Sequence, residues 1–162
     1  MSKEIIWQPS KEQIENSKLT KFIQHCKLKN YDELEKKSFS DPGWLWDNVI
    51  KFSDLKFYKP YSKILDESKG TPWTRWCIGG KTNIVLNCID RHKDKEFFKN
   101  TFIFAEREDG KESSITYEEF DKQISKVGNT LKINGFKKGD VIALYMPQFI
   151  ETYIAYFAIL KI

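Results

Sequence analysis

The chain has 162 residues, 40% of them hydrophobic and 31% charged, which is enough for a domain with a real core. No stretch approaches the roughly 20 apolar residues of a membrane span, the longest apolar run being Tyr153–Leu160, and the opening Met1–Trp7 lacks the apolar core of a signal peptide; a cytoplasmic, non-membrane protein is expected. The net charge of +4 comes from 27 Lys and Arg against 23 acids, and only Arg75, Arg91 and Arg107 are arginines. The lysines alternate with acids, as in Asp32–Lys37 and Asp90–Glu96, so a solvated surface is expected and nucleic acid is not.

The first part, to about Phe52, reads as short helices. Ser10, Asn16-Ser17 and Asn30 each offer a side-chain oxygen to the free N–H groups of a helix start. Asp41-Pro42-Gly43 is a break, after which Trp44, Leu45, Val49, Ile50 and Phe52 give an apolar face at helical spacing. From Tyr58 to Gly80 the chain reads as irregular, interrupted by Pro60, Gly70, Pro72 and Gly79-Gly80, with Tyr58, Tyr61, Trp73 and Trp76 pinning it across another surface. Asn83 opens a helix running through Val85, Leu86 and Ile89 to His92. Phe102–Glu106 and Ser113–Thr116 flank Asp109-Gly110, a strong hairpin signal. Tyr117–Asn134 follows as an amphipathic helix with Phe120, Ile124, Val127, Leu131 and Ile133 apolar. Thr116 caps it, with Glu119 completing a capping box and Gly135 ending it.

Lys-Lys-Gly-Asp then leads into Val141–Tyr145, a short apolar strand ended by Pro147, so that Ser114–Pro147 forms one strand–helix–strand unit. The face of the intervening helix is expected to pack on the sheet containing Val141–Tyr145. Phe149–Ile162 is an apolar helix with no stop signal. A parallel strand needs neighbours and two covered faces, and this chain offers a single such strand. The expected fold class is therefore α/β, α+β towards the amino terminus: a helical region, a β-hairpin and a strand–helix–strand unit that opens something larger.

Four groups of residues bear on chemistry. Gly79-Gly80-Lys81-Thr82 looks like the end of a phosphate-binding loop, but Arg75 stands where that loop needs its first Gly, and Pro72 and Trp73 stand where a strand should run in. A turn into the next helix is the better reading. Cys88 and His92 lie four apart, the spacing of a two-ligand metal half-site, while His25 and Cys26 are adjacent and supply no second half; a helix end with His92 near its carboxyl-terminal dipole is preferred. There is no Gly-x-Ser-x-Gly elbow, and the pairs Glu118-Glu119 and Glu106/Glu108 read as surface acids rather than an acid/base pair. Cys26, Cys77 and Cys88 are odd in number without Cys-x-x-Cys spacing, which suits reduced structural thiols.

Taken together, the segments resemble the amino-terminal part of AMP-forming acyl-CoA synthetases, in the acetyl-CoA synthetase-like branch of the acyl-adenylate-forming superfamily. The residues that carry the likeness are Trp44-Leu-Trp46, Gly79-Gly80, Asn83, Asn87-Cys-Ile-Asp-Arg-His92, Ile115-Thr-Tyr117, Gly139-Asp140 and Tyr145-Met-Pro147. The likeness implies an incomplete piece of the family fold: residues 1–80 a helical and irregular region, 81–162 the truncated start of the α/β adenylate-forming domain. In the full-length family, ATP, Mg²⁺, CoA and a carboxylate give acyl-CoA, AMP and pyrophosphate. The phosphate-holding loop, the ribose- and Mg²⁺-binding acids and the carboxyl-terminal lysine lie beyond the segment present here. No residue of this chain matches a catalytic, cofactor-binding or metal-binding position, so no cofactor and no catalysis is expected of the chain by itself. The alternative is a binding or assembly module that docks on a separate chain carrying the remaining motifs. A homo-oligomer through the carboxyl-terminal helix and an open sheet edge, or a second synthetase chain, is the expected partner.

Overall fold

The structure, a computed structural model, describes residues 6–162. The chain divides into two compact units, Met1–Lys81 and Thr82–Ile162.

In the first unit four helices follow one another: α1 (Lys11–Asn16), α2 (Lys18–His25), α3 (Tyr31–Ser40) and α4 (Pro42–Phe52). Each start is capped by a side chain, from Ser10, Ser17, Asn30 and Asp41 in turn. Asp41 Oδ1 accepts from Trp44 N at 2.8 Å, and Pro42, which has no N–H to leave unsatisfied, fills the first helical position. Phe22 and Leu34 are buried, and the Phe22 ring meets Phe52 edge-on at 5.3 Å, tying α2 to α4.

The stretch expected to be irregular holds a second hairpin. Strands β1 (Lys63–Asp66) and β2 (Arg75–Ile78) pair antiparallel, with Leu65 opposite Trp76. Both are four residues long, too short for an alternation signal, and the Pro and Gly residues fall in the connection between them. Trp76 packs edge-on against Trp46, whereas Trp73 and Tyr58 are exposed. Gly80 is required by crowding: a Cβ there would lie 3.0 Å from Cys77 O and 3.1 Å from Tyr61 Cβ.

The second unit begins with α5 (Ile84–Cys88), followed by 3-10 turns at Asp90–His92 and Glu96–Lys99. The helix expected to run from Asn83 to His92 thus breaks at Ile89, whose backbone leaves the helical region with φ −123°. Strands β3 (Thr101–Glu106) and β4 (Glu112–Thr116) form the expected hairpin. Its turn is closed by Gly110 N donating to Arg107 O at 2.8 Å, with Gly110 at φ +77°. The long helix α6 (Tyr117–Ile133) starts with the anticipated capping box: Glu119 N donates to Thr116 Oγ1, and Thr116 N donates back to Glu119 Oε2. Helix α7 (Ile150–Lys161) closes the unit.

The core of this unit gathers on one face of α6. Phe120 and Ile124 are fully buried, together with Val85, Ile89, Phe98 and Ala158. Gly128 sits one turn after Ile124 on that face, and a Cβ there would be 3.6 Å from Ala158 O. Two small residues therefore let α6 and α7 approach closely. Ile133, grouped in sequence with the apolar face, projects away from it and is 86% exposed.

Residues 141–147 correct another expectation. They form no ladder with any described residue, and Val141 and Tyr145 are fully exposed. The face of α6 is covered instead by the β3–β4 hairpin and α7. The chain remains an α/β piece with small antiparallel sheets, and the expected strand after α6 is not formed among the described residues. Helix α7 is likewise less bare than its apolar sequence suggested, since Ile154, Phe157 and Leu160 pack against the core and only Tyr153 and Tyr156 of its large side chains remain open.

These placements predict a sharp contrast within α6. Ile124→Ala should cost about 2–5 kcal/mol in urea unfolding, and Ile133→Ala less than about 0.5 kcal/mol. Similar losses for the two would show that the buried face is misassigned.

Candidate functional site

The segment that carries the sequence likeness, Asn83–His92, lies at the meeting point of α5, α6 and α7. Asn83 does two jobs there. Its Oδ1 accepts from Val85 N at 2.8 Å, capping α5, and its Nδ2 donates to Leu160 O at 2.6 Å, joining the start of α5 to α7. Asn87 Nδ2 donates to Thr82 Oγ1 at 2.9 Å, holding the approach to α5.

Beyond the break at Ile89, four charges alternate in a ring. Lys93 Nζ lies 2.9 Å from Asp90 Oδ1 and 3.0 Å from Asp121 Oδ2. Lys161 Nζ lies 2.8 Å from Asp121 Oδ1 and 3.7 Å from Asp90 Oδ1, and also donates to Ser125 Oγ at 3.1 Å. Asp121 is only 18% exposed and Lys161 24%, so this network is screened less than an isolated surface pair. Burial opposes ionisation of Asp121, but hydrogen bonds and charge from Lys161 and Lys93 outweigh it and hold the carboxyl below its usual range. Lys93 shows the converse balance: burial opposes its charge, and Asp90 and Asp121 still raise its pKa.

His92 turns away from this ring. Its ring packs 5.2 Å from Phe97 and its Nε2 accepts from Arg91 Nε at 3.1 Å. Burial, then the charges of Arg91 and Lys95, push its pKa down and favour the neutral imidazole. Because the helix breaks at Ile89, Cys88 and His92 are not successive positions of one helical face. Among the described residues, no group of three or more His, Cys, Asp or Glu side chains is arranged to hold a metal ion.

The other sequence candidates are placed separately. The backbone at Gly79–Lys81 is already engaged: Gly80 N donates to Cys77 O at 2.9 Å, and Lys81 N donates to Lys59 O at 2.9 Å. N–H groups so committed do not form an open phosphate cradle. His25 belongs to the first unit, where its ring lies 5.4 Å from Phe52, and the neighbouring Cys26 thiol is pushed up by burial. Glu118 pairs with Lys122 at 2.8 Å, and Glu119 is held in the α6 capping box. Glu106 faces Glu112 across the hairpin, and Glu108 is exposed in its turn. Asp121, Lys93 and Lys161 were missed in sequence. The one available signal was Lys161, a charge at the end of a largely apolar helix.

Comparison with known proteins agrees with this architecture. The profile of the acetyl-coenzyme A synthetase N-terminus matches residues 31–88, and that of the AMP-binding enzymes matches residues 87–162. An acetyl-coenzyme A synthetase from Methanothrix soehngenii is 34% identical over 161 residues, covering 97% of this chain and 24% of that protein. One from Wolinella succinogenes is 36% identical, covering 81% of this chain and 20% of that protein. The solved acetoacetyl-CoA synthetase from Streptomyces lividans superposes with a TM-score of 0.81 at 20% identity, over 95% of this chain and 24% of that one. At that identity the last likeness establishes the fold alone.

The fold and the matches define part of an acyl-adenylate-forming synthetase. More narrowly, the chain belongs to the acetyl-CoA synthetase-like branch of the AMP-forming acyl-CoA synthetases and corresponds to its amino-terminal region. It spans about a fifth to a quarter of the length of the relatives it matches. Among the described residues, no helix is long and apolar enough to cross a membrane.

The charge ring predicts a specific pH dependence. A carboxyl whose folded pKa is depressed contributes stability above its unfolded value, near 3.8 for Asp, and loses it as pH falls through the folded value. The stability gap between wild type and Asp121→Asn should therefore be full at neutral pH and close as the pH falls below the ordinary carboxylate range. Urea unfolding across that range measures it. A gap that does not change with pH would show that Asp121 acts by shape rather than by charge.

Proposed function

We propose that the chain is the amino-terminal scaffold of an acetyl-CoA synthetase-type enzyme and does not catalyse by itself. In the complete reaction a carboxylate oxygen attacks the α-phosphorus of ATP and pyrophosphate leaves. The CoA sulfur then attacks the acyl carbon and AMP leaves. Both steps need positive charge and Mg²⁺ preorganised around phosphate oxygens.

The observation that carries the reading is the use made of the most distinctive segment. Asn83, Asp90 and Lys93 are engaged with Leu160, Asp121 and Lys161 within their own unit, where they join helices. That structural use supports the reading of this chain as a scaffold.

A second reading, an assembly module covered by a second copy or by a separate synthetase chain, is favoured by one further feature. The apolar Val141 and Tyr145 lie bare on a segment without a ladder, and Phe104 on β3 is 81% exposed. Such surface on a sheet edge invites pairing. Sedimentation as a clean monomer at tens of micromolar, without binding of an apolar dye, would sink that second reading.

For the first reading, the purified chain should release no pyrophosphate from ATP and acetate. It should also show no saturable micromolar ATP binding in calorimetry. Binding that disappears on Lys81→Ala would overturn it.

A further inference from the structure

Asn134 is the one asparagine of the chain that a glycine follows. The pair lies at the end of α6 and is exposed to water, with Asn134 as the capping residue and Gly135 just beyond it at φ +90°. We propose that Asn134-Gly135 is a site of self-modification, at which the asparagine converts to aspartate or isoaspartate, and that the cap of α6 keeps the site silent until the end of the helix opens.

The chemistry needs only the chain and water. The Gly135 main-chain nitrogen gives up its proton and attacks Asn134 Cγ. A new C–N bond forms, the bond from Cγ to Nδ2 breaks, and the amide nitrogen leaves with that proton as ammonia. Water then opens the cyclic imide at either carbonyl, which leaves one carboxylate on an aspartate or an isoaspartate. Nothing is oxidised or reduced. Glycine has no side chain to obstruct the attack, which sets this pair apart from the other asparagines of the chain.

Three features of the closed cap oppose the reaction. Gly135 N donates to Lys132 O at 3.0 Å and Phe136 N to Leu131 O at 3.1 Å, the paired bonds of a Schellman end, so the proton of the attacking nitrogen is engaged. Asn134 Nδ2 donates to Thr130 O at 2.8 Å, which ties the leaving amide back along the helix. The Asn134 ψ of 9° places the Gly135 nitrogen beside Asn134's own nitrogen and away from its Cβ, so the ring closes only after a turn about that bond. All three are lost together when the last turn frays, and local opening therefore sets the rate. Conversion is one-way. The product lacks the Nδ2 donor and puts a negative charge at the negative end of the α6 dipole; isoaspartate also adds a methylene to the main chain, so the cap does not close again in the same form.

The intact chain tests this directly. After incubation at mildly alkaline pH, trypsin cuts at Lys132 and Lys137 and isolates the pair in the peptide Ile133–Lys137, in which mass spectrometry and chromatography count the two acids. Conversion should be at least roughly tenfold slower in native buffer than in strong urea. In low urea, below global unfolding, conversion and hydrogen exchange at Gly135 and Phe136 should accelerate by the same factor. Asn134→Asp, which reproduces one product, should speed exchange at those two amides several-fold while amides around Ile124 keep their rates. Absence of conversion at Asn134 in urea would overturn the site. Equal rates in folded and unfolded chain, or conversion that does not follow exchange, would overturn the control by the cap, and unchanged exchange in Asn134→Asp would overturn the one-way loss of that cap.

Discussion

The second unit depends on one aromatic contact set. The Phe120 ring is fully buried, with Phe102 of β3 at 4.9 Å on one side and Phe157 of α7 at 5.3 Å on the other. A single side chain of α6 thus ties the hairpin to the last helix. Ile124 extends the same face by one turn, and Gly128 then lets α7 approach through Ala158. A two-stranded hairpin is marginal in water and needs something to pack on; here that support is the face of α6. The capping box at Thr116 fixes where α6 begins, directly at the end of β4, so strand and helix are delivered to each other in register.

Around this apolar centre the polar residues set position rather than supply bulk. Asn83 joins the start of α5 to the end of α7, and the two lysines and two aspartates link the turn after α5 to α6 and α7. Isolated surface ion pairs contribute little. A partly buried ring with short contacts contributes more, and it is directional in a way that apolar packing is not. Two of the residues that carry the chain's resemblance to its relatives, Asn83 and Asp90, are among these architectural ones.

What could be read from sequence follows from range. The capped start and Gly end of α6, the Asp109-Gly110 hairpin and the Asp41–Pro42 helix start are encoded within a few residues, and the structure has all of them. The β1–β2 hairpin escaped because its strands are short and the Pro and Gly residues that suggested irregular chain lie in the connection. The break at Ile89 escaped because an apolar residue at helical spacing gives no local warning; Ile89 is buried, but its backbone has left the helix. Val141–Tyr145 has the composition of a strand, yet a strand is defined by a neighbour, and no described residue supplies one. The charge ring joins Asp121 to Lys161, forty residues apart, and no pattern of spacing announces such a pair.

The claim on which the account rests is that Phe120 holds the hairpin and α7 as one cooperative body. Hydrogen exchange on Phe120→Leu, which keeps the site apolar while removing the ring, tests it most directly. Amides of β3 and of the first turns of α7 should lose protection together and to a similar extent. Loss confined to one of the two, with the other as protected as in wild type, would contradict it.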